Sequence, residues 1–255
     1  RGLKRLSNFF FTDMEVGDVG VGMDEKLAEA LQTGEWPQIR YALALEVAAA
    51  LRKAGNHLSL AGHVFGEDNT RDKPSGGNGS SEAVAIATLL RSSASVVFAI
   101  LASVNANECY AASVLMRQLL ETEYLVYCFA KRIRAAADWF EASDDERRTA
   151  WQPRHLRRAA NGHFEQGHYD WHCRIGGHPT PYANNVLNCG QKIRQALVCD
   201  TLIHSRNLWN LLVEWSENEA KVYDIWRISF QGSKDLAGRL EVWHTEDPAG
   251  WVTFQ

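Results

Sequence analysis

The sequence predicts a mostly α-helical protein, an antiparallel helical bundle of about five to seven helices with a small C-terminal antiparallel β element. Apolar residues recur at three- and four-residue spacing through most of the chain, Asn- and Gly-rich turns separate these segments, and the spacing changes to two after Lys221. With 255 residues, of which 45% are hydrophobic, the chain can bury a sizeable core. This composition excludes collagen, a coiled coil and a wholly disordered chain.

Composition divides the chain into three parts. Residues 1–22 are predicted to form an N-terminal extension, 23–220 the helical bundle domain, and 221–255 a β appendage packed on the bundle. Within the bundle, 62–81 is dense in Gly, Ser, Asn and Asp, which predicts a mobile loop. Such a loop can be a plain connection between two helices, a lid over a site or a boundary between domains.

The first two helices follow from their turn residues. One helix is predicted over 24–33, where Gly34 ends it, and Pro37 then opens a second helix that extends to about Leu60. The second helix carries one apolar stripe that faces the core. The members of this stripe are Ile39, Leu43, Val47, Ala50, Leu51 and Leu58.

The predicted core consists of three helices, over 82–103, 107–140 and 185–217. Asn105 and Asn107 mark the turn between the first two, because asparagine is favoured at both helix ends. A connection this short makes the two helices antiparallel.

The rest of the chain is predicted to be less regular. Acidic residues at 144–146 predict the start of a further helix, because the helix dipole favours negative charge there. Residues 153–185 are rich in His, Gly, Asn and Pro and are predicted to be irregular. Alternating apolar and polar residues at 222–230, 239–245 and 251–254 predict three short strands.

Charge and apolar runs exclude several classes of protein. The net charge of −4 argues against a general nucleic-acid coat but allows a local basic pocket. The longest apolar stretch, 92–104, is shorter than the roughly 18–20 residues of a membrane span. Residues 1–11 lack the cleavage site of a signal peptide. We therefore expect a cytoplasmic protein without a membrane segment.

The five cysteines are odd in number and form no C-x-x-C motif. Cys109, Cys128 and Cys199 lie in apolar helical patterns, where cysteine is expected to pack as a small hydrophobic residue. This usage is typical of a reducing cytoplasm.

One polar constellation lies on the second core helix. Arg117 and Glu121 are four residues apart and share a helix face, and Tyr124 follows one turn later. Their neighbours are apolar, so the helix is predicted to be largely buried, and a buried charge needs a partner. Arg117 and Glu121 therefore either satisfy each other or line a polar pocket inside the bundle.

A second constellation lies at 169–182, YDWHCRIGGHPTPY, which contains two glycines and two prolines. The prolines restrict the backbone, so His178 is expected to be held in an extended conformation. Its imidazole can act as an acid, a base or an anion ligand, or can simply cap the next helix. Arg174 is predicted to lie at the mouth of the pocket.

The same segment offers ligands for a metal. His168, His172, Cys173 and His178 are close in sequence, and the first two have the i, i+4 spacing of a helical pair. However, neither an H-E-x-x-H motif nor a closed Cys/His pattern is present. We therefore expect no metal at these residues and no cofactor.

Basic residues precede this segment and are interleaved with Trp151. They are Arg147, Arg148, Arg154, His155, Arg157 and Arg158. Arginine beside an aromatic ring can bind phosphate and stack on bases. The alternative is a solvated helix face balanced by the acidic residues at 144–146.

Two of these motifs carry a family resemblance. The stretch ECYAASVLMRQLLETEYLVY, with Arg117 and Glu121, and the later GGHP at 176–179 resemble a widespread, largely uncharacterised family of bacterial helical proteins with an Arg-x-x-x-Glu helix and a later His-Pro turn. That family is similar in turn to HEPN-type helical bundles, whose nucleases carry an Arg shortly before a His, the spacing of Arg52 and His57. The resemblance implies a helical bundle with a polar pocket, of a kind often encoded among phage-defence genes.

The first functional hypothesis is a metal-independent RNase or nucleotide-binding protein of a defence system that forms a homodimer. His178 would act as the acid or base, and Arg117, beside Glu121, would stabilise phosphate charge. Arg174 and Tyr124 would bind the RNA or nucleotide.

The alternative hypothesis is a non-catalytic interaction subunit of the defence or toxin–antitoxin type. The chain has nine tryptophans, and Trp226, Trp243 and Trp251 lie in its C-terminal segment. Because tryptophan is enriched at interface hot spots, this segment is predicted to bind a protein partner.

Overall fold

The computed structural model describes residues 34–64, 81–219 and 233–250. Within them the fold is mostly helical, as predicted, and contains no strand. Ten α-helices are present in these ranges. They are α1 (Trp36–Val64), α2 (Ser81–Asn105), α3 (Cys109–Ala130), α4 (Ala136–Glu141), α5 (Asp144–Ala150), α6 (Pro153–Ala159), α7 (Gln166–His172), α8 (Asn184–Leu187), α9 (Gln191–Glu219) and α10 (Ser233–Glu246). A π-helical turn, Cys173–Gly177, continues α7, and a 3₁₀ turn, Pro181–Ala183, precedes α8.

The four long helices form a closed bundle. Helix α1 packs on α2, α2 on α3, α3 on α9, and α9 on α1. Their facing surfaces bury apolar side chains that include Leu51, Leu90, Met116 and Leu212. The predicted core of three helices is therefore completed by α1.

Two local features allow the long helices to pack closely. Asn107 has φ 62°, a left-handed conformation that asparagine tolerates, and it reverses the chain between α2 and α3 as predicted. In α1, a Cβ added to Gly55 would lie 2.8 Å from Cγ of Arg91 and 3.1 Å from the carbonyl oxygen of Ala87. The absent side chain therefore permits the close crossing of α1 and α2, and α1 continues past Gly55 to Val64.

Several predicted boundaries are wrong. The helix predicted over 107–140 ends at Ala130, where Arg132 takes φ 55° and turns the chain into α4. The predicted irregular segment 153–185 contains α6, α7 and the π turn. The helix predicted from 185 begins at Gln191, after the separate short helix α8.

The start of α5 follows its sequence signal closely. The Ser143 side chain accepts a hydrogen bond from the backbone N–H of Glu146, and the Glu146 carboxylate accepts one from the backbone N–H of Ser143. This capping box satisfies two of the free N–H groups at the helix start. The three acidic residues of the first turn complement the helix dipole, so the prediction is confirmed.

The predicted C-terminal β element is wrong where the structure describes it. Residues 239–245 belong to α10, and the buried residues of α10 are Leu236, Leu240 and Trp243, a helical spacing. The alternation that predicted a strand includes Val242. This residue is 52% exposed, so it does not belong to the buried face of α10. The other two predicted strands, 222–230 and 251–254, lie outside the described residues.

Three further predictions also fall outside the described residues. They concern the extension 1–22, the helix over 24–33 and most of the loop 62–81, whose first three residues belong to the end of α1. Trp226 and Trp251 lie there as well, whereas Trp243 is 1% exposed and serves the core rather than a surface.

Helix α2 is long and apolar enough to cross a membrane by length and composition alone. Of its apolar window, 56% is buried against the other helices, and core helices of soluble proteins pass the same test. The expected absence of a membrane segment and the expected cytoplasmic location stay predictions.

The cysteines differ from expectation at one position. Cys109, at the start of α3, forms a disulfide with Cys189 in the connection between α8 and α9, with Cα atoms 5.5 Å apart. Cys109 is thus buried as half of a cross-link and not as a free small hydrophobic residue. Cys128 and Cys199 are free and buried, as predicted.

A buried ion pair attaches α10 to the bundle. The Arg40 guanidinium of α1 donates from Nε to Oδ2 of Asp247 at 2.6 Å and from Nη2 to Oδ1 at 2.7 Å. Asp247 also accepts from Nε1 of Trp243 at 2.8 Å and from the backbone N–H of Ala249 at 2.9 Å. Both charged side chains are fully buried, so the end of α10 is held by charge-assisted hydrogen bonds as well as by apolar contacts.

Candidate metal centre

Two helices bring four potential metal ligands together inside the fold. Helix α7 carries His168 and His172, and α9 carries Asp200 and His204. Each pair is spaced i, i+4, so both of its side chains project from the same helix face. One ligand atom from each of the four residues lies within 4.8 Å of all the others.

Three separations between atoms of these residues lie close to the edge length of a coordination tetrahedron. Nε2 of His172 lies 3.2 Å from Nε2 of His168 and 3.6 Å from Oδ2 of Asp200. Nε2 of His204 lies 3.5 Å from Oδ1 of Asp200. With ligand bonds of about 2.0–2.1 Å, the donor atoms around a tetrahedral ion lie roughly 3.3–3.4 Å apart.

The cluster is held in the interior. Asp200 and His172 are fully buried, His204 is 1% exposed, and His168 lies at the half-buried edge. The three imidazole rings converge, with the His168 and His204 rings stacked at a centroid distance of 5.1 Å. Within the described residues, the buried Nε2 of His204 makes no hydrogen bond.

Helix α3 supports the cluster from behind. Nδ1 of His204 lies 2.6 Å from Oε2 of Glu123, and the amide of Asn207 donates to Oε1 of Glu123 at 3.1 Å. An ionised carboxylate only accepts hydrogen bonds, so Nδ1 of His204 carries the proton and Nε2 faces the cluster. This carboxylate–histidine arrangement is typical of the outer shell of metal sites.

The surroundings shift the pKa values of the three histidines in different directions. Burial and the neighbouring His204 lower the pKa of His168 to about 3, and burial lowers the pKa of His172 well below its ordinary value. Burial also acts to lower the pKa of His204, but Glu123 and Asp200 outweigh it, and this pKa is raised. The imidazoles of His168 and His172 are therefore neutral and have a lone pair to donate.

The segment after α7 fixes this helix against α3. A Cβ added to Gly176 in the π turn would lie 2.5 Å from the carbonyl carbon and oxygen of Ser113 and 2.6 Å from the backbone nitrogen of Val114. Ile175 is buried beside it. Only glycine allows the turn to contact the α3 backbone, and π turns within helices are frequent at functional sites.

We expect Gly176→Ala to lower the free energy of unfolding by about 1–3 kcal/mol, because the added methyl group overlaps the α3 backbone, which cannot rotate away. Urea unfolding followed by circular dichroism measures this change. Gly167→Ala on α7 is the matched control, since no atom lies within 4 Å of the added Cβ there. Equal stability of the Gly176→Ala variant and the wild type would contradict the close contact.

The predicted Arg117–Glu121 pair forms, and each side chain is about one-third exposed. Nε of Arg117 donates to Oε1 of Glu121 at 2.7 Å, and the Tyr169 hydroxyl contacts both side chains at 3.0 Å. Burial acts against the charge of Arg117, but the hydrogen-bonded Glu121 outweighs it and raises the Arg117 pKa. The two residues satisfy each other, and Tyr169 joins them.

Of the remaining predicted site residues, one is buried away from solvent and two are exposed. Tyr124 is fully buried, with its ring 4.2 Å from that of Phe164, and burial raises its pKa. His178 is exposed on extended backbone, as its prolines predicted, and Arg174 is exposed beside the Tyr182 ring. Whether any of these residues takes part in catalysis or binds substrate stays a prediction.

The sequence pattern points to only half of the metal cluster. It groups His168 and His172 with Cys173 and His178, neither of which belongs to the cluster in the structure. Asp200 and His204 carried a usable signal, because an acid and a histidine spaced i, i+4 interrupt the apolar stripe of a predicted buried helix.

Comparison of the chain with family models, with curated proteins and with solved structures finds no match. The resemblance to a bacterial helical family and to HEPN-type bundles therefore stays a prediction.

Proposed function

We propose that the protein binds a divalent transition-metal ion between α7 and α9, through His168, His172, Asp200 and His204. One observation carries this proposal: ligand atoms from two helices converge within 4.8 Å in the interior, and three of their separations, 3.2–3.6 Å, lie close to a tetrahedral edge. Four protein ligands fill a tetrahedral shell, as in structural zinc sites. The ion would hold α7 and the turn that follows it on the bundle.

The donor set favours particular ions. Imidazole suits Zn²⁺, Fe²⁺, Ni²⁺ and Cu²⁺, whereas Mg²⁺ and Ca²⁺ prefer oxygen ligands. Three of the four ligands are imidazoles, so Zn²⁺ is the ion to test first. The two buried carboxylates, Asp200 in the cluster and Glu123 behind His204, together carry the charge that would neutralise a divalent ion.

The competing interpretation is a buried ion-pair network without a metal. In that case the protonated His204 would lie between Glu123 and Asp200, and the neutral His168 and His172 would pack beside it. The 3.2 Å approach of the Nε2 atoms of His168 and His172 fits a hydrogen bond between two neutral imidazoles in this network, and it equally fits two ligands of one ion. An ion would in addition give a partner to Nε2 of His204, which makes no hydrogen bond within the described residues.

The direct experiment is to titrate the chelator-treated full chain with Zn²⁺ by calorimetry and to measure the bound metal by mass spectrometry. We expect one ion per chain in the wild type and no stoichiometric binding in Asp200→Asn or in His168→Gln. Of the four ligands, His168 has the most exposed side chain. Co²⁺ in place of Zn²⁺ should give the strong visible absorption of a tetrahedral site.

His178→Gln is the matched control, because it removes an exposed histidine close in sequence to the cluster but outside it. This variant should bind Zn²⁺ as the wild type does. Absence of binding to the wild type, or equal binding to Asp200→Asn and the wild type, would leave the ion-pair network as the explanation of the cluster.

A separate prediction concerns Glu123. We expect Glu123→Ala to weaken Zn²⁺ binding by about 10–100-fold, because His204 loses the carboxylate that orients it and increases its basicity. Glu123→Gln, which still offers an acceptor to Nδ1, should recover part of this loss. Glu121→Gln on the same helix pairs with Arg117 instead and should leave the affinity unchanged. Competition with a chromophoric chelator measures the three affinities.

A further inference from the structure

A second group of buried polar atoms lies beside the metal cluster and is not used by it. Arg157 of α6 is only 9% exposed, and its Nη2 donates to Oε1 of Gln166 at 2.6 Å. Its Nη1 is buried and makes no hydrogen bond within the described part of the chain. The hydroxyl of Tyr124 on α3 is likewise buried, lies beside the Arg157 guanidinium and makes no hydrogen bond to any other described group.

These two groups are held side by side by aromatic rings. The Arg157 guanidinium carbon lies 4.2 Å from the centroid of the Tyr169 ring and 5.9 Å from that of Tyr124. The guanidinium charge acts to lower the pKa of the Tyr124 phenol, although burial outweighs it. Stacking on tyrosine faces fixes the plane of the guanidinium and leaves its edge free to donate.

The charges around Arg157 do not cancel. Glu121 pairs with Arg117, and the partner of Arg157 is the neutral amide of Gln166. Tyrosine hydroxyls, with an ordinary pKa near 10, are neutral at physiological pH. Among the described residues, Arg157 therefore has no carboxylate partner, and a buried charge without a counter-charge costs several kcal/mol.

We propose that Arg157 and Tyr124 form a binding site for a small oxyanion, a phosphate or a carboxylate group. The anion would accept hydrogen bonds from Nη1 of Arg157 and from the Tyr124 hydroxyl, two buried donors that lie beside each other and make no hydrogen bond to any other described group. Its negative charge would balance the guanidinium. A guanidinium binds both kinds of group through paired N–H donors, so the two are separated by experiment.

The oxyanion site adjoins the metal centre through two helices. On α3, Glu123 supports His204 and the next residue, Tyr124, serves the oxyanion site. On α7, His168 belongs to the metal cluster and the next residue, Tyr169, stacks on Arg157. The oxyanion site rests on its own donors and does not depend on a bound ion.

The test is thermal unfolding of the full chain with inorganic phosphate, and separately with acetate, at constant ionic strength. The series is run both with Zn²⁺ and with chelator, so that an anion bound to the ion is recognised. We expect one of the two anions to raise the melting temperature of the wild type in both conditions. The more effective anion identifies the group.

Three variants assign the effect to the site. Tyr124→Phe removes one hydroxyl and should weaken binding of the effective anion at least about tenfold, the loss of one hydrogen bond to a charged group. Arg157→Met should abolish the effect. Arg158→Met removes an exposed charge from the same helix and should change nothing.

The anion-free stability of Arg157→Met separates a binding role from a structural role. Because the guanidinium has no counter-charge, this variant should be as stable as the wild type or more stable when no anion is added. Strong destabilisation by Arg157→Met, an equal anion effect in Tyr124→Phe and the wild type, or no effect of either anion on the wild type would each overturn the proposal.

Discussion

Replacing Asp247 with Asn is expected to lower the free energy of unfolding by about 3–5 kcal/mol, among the largest effects of any single substitution in this chain. The substitution keeps the shape of the side chain but removes the carboxylate charge that is hydrogen-bonded to the fully buried Arg40 guanidinium. Another contact of Arg40, with Oε1 of Gln195 at 3.2 Å, is to a neutral group. A loss of this size is a large part of the stability of an ordinary domain.

A double substitution separates the ion pair from the packing around it. Arg40→Met combined with Asp247→Asn removes both charges and keeps one acceptor oxygen, enough for either Nε1 of Trp243 or the backbone N–H of Ala249, which bond to different oxygens of Asp247. We expect this double variant to be more stable than Asp247→Asn alone, because the buried Arg40 charge is removed together with the carboxylate that it pairs with. Chemical denaturation of the wild type, the two single variants and the double variant gives the coupling energy.

An exposed ion pair between the same two helices provides the control. Arg239 of α10 contacts Glu46 of α1, and both side chains are more than 40% exposed. Glu46→Gln should change the stability by less than about 1 kcal/mol, because solvent screens this pair. Equal effects of Glu46→Gln and Asp247→Asn would contradict the role assigned to burial.

The second large effect is expected from Zn²⁺ itself. If the ion binds the folded chain alone, free Zn²⁺ at about 1,000 times its dissociation constant stabilises the fold by about 4 kcal/mol. Urea denaturation at a series of buffered Zn²⁺ concentrations measures this gain as a shift of the midpoint. The shift should grow with the logarithm of the free ion concentration.

Asp200→Asn should remove the dependence on Zn²⁺ whatever it does to the stability without metal, and His178→Gln should keep it. The readout is the increment that the ion produces, so a change in baseline stability does not affect the conclusion. A Zn²⁺-dependent shift of equal size in Asp200→Asn would show that the ion acts elsewhere on the chain.

The fold class and the central helices could be predicted from the sequence because their signals are local. Helical spacing of apolar residues, the asparagines around the α2–α3 turn and the Ser143–Glu146 capping box act within a few residues, and the structure agrees at each. The strand predicted over 239–245 was wrong, because apolar and polar residues can alternate by chance over a few positions of a helix. The buried residues of α10 are Leu236, Leu240 and Trp243, which have helical spacing.

The sequence by itself determined a helical bundle, its long central helices, and an i, i+4 pair of histidines at 168 and 172. The tertiary structure decided that Asp200 and His204 meet this pair, that Glu123 supports them, and that Cys109 finds Cys189. The reason is physical: spacing along one helix places two side chains on a face, whereas the partner of that face depends on how helices distant in sequence pack. The candidate metal centre joins α7 to α9 and takes its support from α3, so no pattern within a single segment could define it.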